Sequence, residues 1–223
     1  MIRWFHRAWY GIHIKLLLLL KPAALFKSVN QLDWYMGTLH KWINDQEFNS
    51  NLSILEAGCA TGALSEYLAE CGHSVTGVDS SSAMINAASS DNCRARYQIA
   101  DVTNLPFEDN VFDAVISASV INIVPDQHKA LIEMARVCKP GGSISILFPA
   151  QGFNNKKFQD LLDTLGISGF SEAALKAWHH SAPKLDKKNI ETLLKETGLI
   201  PTQKNDYLDG MVFSITATRF GLL

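Results

Sequence analysis

Three acidic side chains stand at the ends of short apolar runs, and their order suits recognition of a nucleoside. Glu56 closes Ser53-Ile54-Leu55, Asp79 closes Val75-Thr76-Gly77-Val78, and Asp101 closes Tyr97-Gln98-Ile99-Ala100. Asp79 lies 23 residues beyond Glu56, close to the spacing of a ribose-binding acid at the tip of a second strand. A carboxylate there can accept from both ribose hydroxyls, and its charge strengthens those bonds. Between the first two acids runs Ala57-Gly58-Cys59-Ala60-Thr61-Gly62. Gly58 can take positive φ where the chain turns, and it brings no Cβ against a ligand lying across the backbone. Gly62 lets the next helix start close against the strand. The loop reads Glu-x-Gly-x-x-x-Gly with Ala60 inside it, not the GxGxxG of a dinucleotide fingerprint.

The elements that position these residues follow from hydrophobic periodicity. Leu32, Tyr35, Met36, Leu39 and Ile43 recur at helical spacing, which predicts a helix over Asn30 to Asn44 before the first strand. A helix there can lie over the cofactor mouth, which makes Trp34, Tyr35 and His40 lid candidates. After the loop, Leu64, Tyr67, Leu68 and Cys71 form a stripe that Gly72 ends. Ser80, Ser81 and Ser82 can cap the helix after strand two. Phe112 to Ser117 reads as strand four, Leu131, Met134, Ala135 and Cys138 as a helix, and Ile144, Ile146 and Phe148 as strand five. Lys139-Pro140-Gly141-Gly142 is expected as a tight turn between those two. Repeated strand–helix units argue for a parallel sheet covered on both faces. Three helix signals then follow between Phe153 and Gly198, the last capped by Asp186. Finally Pro201 to Tyr207 and Met211 to Arg219 flank Asp209-Gly210, a two-residue hairpin signal.

Composition narrows the function classes. At 223 residues with a net charge of −2, the chain suits one globular domain and gives no whole-protein argument for nucleic acid. Cys59, Cys71, Cys93 and Cys138 have no CxxC or Cys/His zinc spacing, and are expected to be small buried groups in a reducing compartment, with no metal site. Leu16 to Leu20 is far short of the about 20 residues a membrane span needs. A cytoplasmic protein is therefore expected. Residues 1–27 carry Arg3, Arg7, Lys15, Lys21 and Lys27 and no acidic residue, interleaved with Trp4, Phe5, Trp9 and Tyr10. They read as a helical arm packed on the domain, or as a basic amphipathic segment that makes peripheral contact with a membrane surface.

Three motifs taken together resemble the class I S-adenosylmethionine-dependent methyltransferases, in particular the broad family of ubiquinone and menaquinone biosynthesis methyltransferases. They are Leu55 to Gly62 with Gly77-Val78-Asp79; Ala100-Asp101-Val102 through Leu105-Pro106-Phe107 to Phe112-Asp113; and Arg136 to Gly142. The resemblance covers about Leu52 to Leu147. It implies an α/β fold with a Rossmann-like seven-stranded sheet of order 3-2-1-4-5-7-6, strand seven antiparallel and helices on both faces. Residues 1–51 would then be an N-terminal arm or lid, and 52–223 the S-adenosylmethionine-binding domain with a helical insertion at about 153–198. By position, Gly58 with Cys59, Ala60 and Gly62 would lie along the methionine moiety and Glu56 would organise that loop. Asp79 would hold the ribose, Asp101 the adenine amino group, and Val102 would supply a backbone N–H. Ser80 and Ser119 are secondary cofactor contacts. The family more often has glycine at the position of Ala60, so loop geometry is the expected point of departure.

A sulfonium methyl group is an activated electrophile, so the protein's task is to align the acceptor and exclude water. An oxygen or thiol acceptor also needs its proton removed; His179 and His180 in the insertion, and Tyr35 and His40 in the lid, are the candidates, none of them assigned. The expected function is methyl transfer to a small-molecule acceptor by in-line displacement. The alternatives are a lipidic or quinone-like acceptor at a membrane surface, a noncatalytic S-adenosylmethionine-binding protein, or an NAD-dependent oxidoreductase, which the missing GxGxxG and the final hairpin disfavour. Ser117-Ala118-Ser119-Val120 lacks the tetrad common in amide and nucleobase methylation, which lowers the case for nucleic acid as partner.

Overall fold

The structure, a computed structural model, describes residues 10, 13–14, 16–17, 19–89 and 92–220. Arg3, Trp4, Phe5, Arg7, Trp9 and Lys15 of the basic arm lie outside the described residues.

Helices α1 (Pro22–Val29) and α2 (Asp33–Asn44) precede the sheet. Strands and helices then alternate: β1 (Ser53–Ala57), α3 (Ala63–Glu70), β2 (Ser74–Asp79), α4 (Ser82–Ala88), β3 (Arg96–Ile99), β4 (Phe112–Ala118), α5 (Gln127–Val137) and β5 (Cys138–Pro149). Three helices follow, α6 (Asn155–Leu165), α7 (Gly169–Ser181) and α8 (Lys187–Glu196), and then the antiparallel pair β6 (Leu199–Tyr207) and β7 (Val212–Arg219). The sheet order is β3-β2-β1-β4-β5-β7-β6, with β7 antiparallel to both neighbours, as the family resemblance implies.

The central strands are buried on both sides, so successive residues feed two separate cores. On β1, Leu55 and Ala57 join Ile144, Ile146, Leu131 and Met134 under α5 and α8. Ile54 faces the other way, with Ala114, Ile116, Trp42, Leu64, Leu68 and Phe158 under α2, α3, α6 and α7. Full burial is worth about 1.5–3 kcal/mol for each such large side chain, which makes these strands the rigid base of the site. Trp42 is fully buried, and its indole N–H finds a partner in Ser145 Oγ at 2.9 Å. That bond fixes α2 over β5.

Three sequence expectations change. Lys139-Pro140-Gly141-Gly142 is not a turn before β5 but an excursion within it. Pairing jumps from Phe112↔Cys138 to Ala114↔Ser143, because Pro140 has no N–H for the ladder and Gly141 adopts φ 79°. The hairpin at Asp209-Gly210 is also longer than two residues. Tyr207 pairs with Val212, leaving Leu208 to Met211 as the connection, with Leu208, Asp209 and Gly210 all at positive φ. The cysteines divide: Cys59 and Cys138 are buried, Cys93 is half-buried and Cys71, which caps the end of α3, is exposed, so the expectation of four buried groups holds for two of them. All four are free thiols.

Candidate functional site

The carboxyl ends of β1, β2 and β4, together with the loop after β3, surround a cavity of about 290 Å³. Its walls include Gly58, Asp79, Ser80, Asp101, Val102 and Val120. Ligands of open α/β sheets bind at such a position, outside the strand ends where neighbouring loops diverge.

The β1 loop is tied to β2 by its own backbone. Gly58 and Cys59 both donate to Val78 O, at 2.7 and 2.8 Å. Gly58 sits at φ 86°, and a Cβ there would lie 2.1 Å from Val120 Cγ2. The position therefore demands glycine twice over, for its conformation and for the close approach of the β4 loop. At Gly62, φ 83°, a Cβ would lie 2.5 Å from the Tyr97 hydroxyl, which itself donates to Gly62 O and Glu66. Ala60 has φ 46°, in the left-handed region that alanine rarely enters. Its N–H donates to Asp79 Oδ2 at 3.0 Å, and this bond holds the conformation.

Asp79 is the hinge of the arrangement. Oδ2 accepts from Ala60 and Oδ1 from the Ser81 N–H at 2.9 Å. An ionised carboxylate has about four acceptor positions, so each oxygen keeps one free. Ser81, the middle of the three serines, is the cap of α4, accepting from Met84 N, while Ser80 is exposed at the cavity rim. Asp101 is exposed, and its Oδ1 takes both the N–H and the hydroxyl of Thr103, which hold its carboxyl below the usual range. Ser119 ends β4 at φ 56°, its N–H bonded to Leu147 O at 2.7 Å.

Glu56 lies beneath the loop, 3% exposed, and Ser65 Oγ donates to it at 2.5 Å. Burial pushes its carboxyl up to about 7; the Ser65 bond opposes that rise and the Asp79 charge adds to it. Tyr35 feels the Glu56 charge from α2, and burial first, then that charge, push its phenol up to about 12. Tyr35 also meets Trp34 and Trp178 edge-on, at 5.7 and 6.4 Å, while those two indoles stack at 5.8 Å. Helices α2 and α7 are thus joined through these rings.

The other proton-transfer candidates are elsewhere. His40 stacks on Tyr67 at 3.8 Å, between α2 and α3. His179 is buried, stacked on Phe158 at 4.0 Å with Phe153 edge-on, and burial, then the Lys184 charge, hold its imidazole below the usual range; among the described residues its Nδ1 has no hydrogen-bond partner. It belongs to the packing of the insertion. His180 is exposed on the same helix, its Nδ1 against Lys176 O at 2.7 Å. Tyr35 feels the Glu56 charge, whereas His40 and His179 pack against other elements.

Residues that carried the family resemblance without obvious chemistry prove to be struts. Arg136 bridges both oxygens of Glu133 and the carbonyls of Leu105 and Phe107, fixing the loop after β3. Lys139 and the Ser53 N–H both bind Asp113, joining β5 and β1 through β4. Sequence reasoning missed Ser65, Val120, Trp178 and the bond from Asn30 Nδ2 to Thr61 Oγ1, 2.9 Å long. Ser65 was findable in principle, as a polar residue one turn into a helix whose neighbours Leu64 and Leu68 face the core.

A seven-stranded sheet of this order, with a glycine loop and an acid at the second strand tip, defines the class I S-adenosylmethionine-dependent methyltransferase fold. Residues 55–146 match the family model described as a methyltransferase domain. The chain is 38% identical over 132 residues to a malonyl-[acyl-carrier protein] O-methyltransferase of Buchnera aphidicola, covering 59% of this chain and 53% of that one. It is 33% identical over 140 residues to a ubiquinone biosynthesis O-methyltransferase of Coxiella burnetii, covering 56% and 59%. The chain spans about half the length of these curated relatives. Among solved structures, a methyltransferase of Methanosarcina mazei superposes with a TM-score of 0.62 at 21% identity, over 80% of this chain and 97% of that one, which shows the shared fold. The chain thus has the class I S-adenosylmethionine-dependent methyltransferase fold, and residues 55–146 match a methyltransferase domain.

Proposed function

We propose that the protein transfers the methyl group of S-adenosylmethionine to a small-molecule acceptor, and that the cavity at the ends of β1, β2 and β4 holds the methyl donor. The observation that carries this is Asp79. Its two oxygens each bind one backbone N–H and each keep an acceptor position open at the cavity, the arrangement a pair of ribose hydroxyls requires. The bare Gly58 backbone gives the methionine moiety a surface that any Cβ would occupy. Asp101 and Val102, at the other end of the cavity, suit the adenine amino group and ring. Glu56, beneath the loop, supplies negative charge toward a cationic amino group.

When bound, S-adenosylmethionine supplies a methyl carbon already activated by its sulfonium sulfur. The residues of this chain bind and orient it and exclude water. Asp79→Ala is expected to weaken S-adenosylmethionine binding by at least tenfold by calorimetry, because it removes two charge-assisted bonds worth about 1.5–3 kcal/mol each. An unchanged dissociation constant would refute the ribose role. Incubating the protein and labelled S-adenosylmethionine with fractionated extract should label one small-molecule fraction. Binding without transfer to any fraction would leave a noncatalytic binding protein.

A lipidic acceptor, met at a membrane surface, is a finer reading of the same function. It is supported by an N-terminal helix ahead of α1, described at residues 13–14, 16–17 and 19–20, where Leu16, Leu19 and Leu20 are 52%, 79% and 64% exposed beside Lys21. Among the described residues no helix is long and apolar enough to cross a membrane, so the contact would be peripheral. Co-sedimentation with anionic vesicles that is lost on deleting residues 1–27 is the expected result; full-length protein that stays in the supernatant would reject the reading.

A further inference from the structure

We infer that the N-terminal helix is an anionic-lipid docking surface whose engagement tightens the methyl-donor site, so that a bilayer acts as an activator of this protein. The inference rests on the peripheral membrane reading above and adds a coupling to it.

The helix has two unlike sides. Ile14 is buried and Leu17 is half-buried against the core formed by α2, α3 and α7, and this fixes which side turns outward. Leu16, Leu19 and Leu20, spaced three and four apart and so on one helical face, turn to solvent. Lys21 and Lys27 are exposed beyond them, and the first 27 residues hold five cations and no acid. Exposed leucines rimmed by lysines fit acyl chains beneath anionic headgroups. Each basic group near such a surface adds about 1 kcal/mol of attraction.

The same arm reaches the site by two routes. Asn30, the cap at the end of α1, donates its side-chain N–H to Thr61 Oγ1 inside the glycine loop. Helix α1 also packs against α4, whose cap Ser81 donates its N–H to Asp79 Oδ1. A lipid surface that holds the arm in this position holds Thr61 and Asp79 in theirs, and cofactor binding then meets a loop already ordered. Linkage requires the reverse as well: S-adenosylmethionine must tighten vesicle binding by the same factor.

The test measures the dissociation constant of S-adenosylmethionine for the full chain, alone and with phosphatidylcholine vesicles containing or lacking phosphatidylglycerol. The expected result is at least fivefold tighter binding with the anionic vesicles only. Leu19→Glu with Leu20→Glu should abolish vesicle binding and leave the solution constant unchanged. Asn30→Ala should keep vesicle binding and lose most of the shift. Vesicle binding without any change in the constant would overturn the coupling while the membrane reading stands. Absence of vesicle binding would overturn both. A dimer in sedimentation that Leu19→Glu dissociates would show instead that a second copy covers the leucine face, and would also overturn the inference.

Discussion

Ala60→Gly tests whether the glycine loop is strained in this protein. Ala60 adopts φ 46° and is held there by its N–H bond to Asp79 Oδ2 at 3.0 Å. The left-handed conformation costs an L-residue about 1–2 kcal/mol, a cost that glycine does not carry. Against this, glycine enlarges the entropy of the unfolded chain, which lowers stability by about 0.4–1 kcal/mol. The difference favours the variant by about 0.7 kcal/mol, near a 2 °C rise in Tm for a chain of this length. Ala63→Gly is the control. Ala63 opens α3 with ordinary helical backbone, and there the same substitution should lower stability by about 0.5–1 kcal/mol. Urea unfolding of the two variants beside the parent protein gives the comparison. If Ala60→Gly destabilises as much as Ala63→Gly, then Ala60 is not left-handed in the folded protein and the strain argument fails.

Other outcomes follow from the same geometry. Glu56 has a folded pKa near 7, raised above its unfolded value by burial, so the native state binds the extra proton between about pH 4.5 and 7 and stability falls as pH rises through that window, by at most about 1.4 kcal/mol per unit. Glu56→Gln should flatten that part of the pH–stability curve, and a slope that persists would place the titration elsewhere. In the binding experiment the sign reverses: a cationic amino group favours ionised Glu56, so affinity for S-adenosylmethionine should increase through pH 7 in the parent protein and not in the variant. Gly58→Ala places a Cβ 2.1 Å from Val120 Cγ2 at φ 86°, and should cost about 2–4 kcal/mol by urea unfolding, combining backbone strain with overpacking. Adding Val120→Ala should recover the overpacking part only. A thiol reagent should modify Cys71 first and Cys93 next, with Cys59 and Cys138 reacting only on unfolding, since burial raises both thiols, that of Cys138 to about 12; mass spectrometry of early labelled peptides checks this order.

Much of the molecule was legible in the chain because it depends on local chemistry. An apolar run ending in an acid and a glycine, repeated with the right spacing, makes β1 and β2 with Asp79 at the tip, and no distant contact is needed to predict it. The caps behave likewise: Asp186 accepts from Lys188 and Asn189 at the start of α8, and Gly166 ends α6 at φ 59°. Glycine at 58 could be argued from the need for a bare turn. Its second cause, Val120 arriving from β4, could not.

What tertiary structure alone decided is which side chains meet. His179 and Trp178 are neighbours in sequence, yet α7 turns the first into the Phe158 core and the second toward Trp34 and Tyr35, because adjacent helical residues point about 100° apart. His40 and Tyr35 part in the same way on α2, one to Tyr67 and one to Trp178. Pro140 broke β5 rather than ending a turn, since its missing N–H matters only once β4 lies alongside. The chain itself determines a glycine loop and the sheet beneath it, through periodicity and backbone freedom. Packing decides the near-neutral pKa of Glu56, the left-handed Ala60 and the outward leucines, because each depends on a surface contributed by another part of the chain.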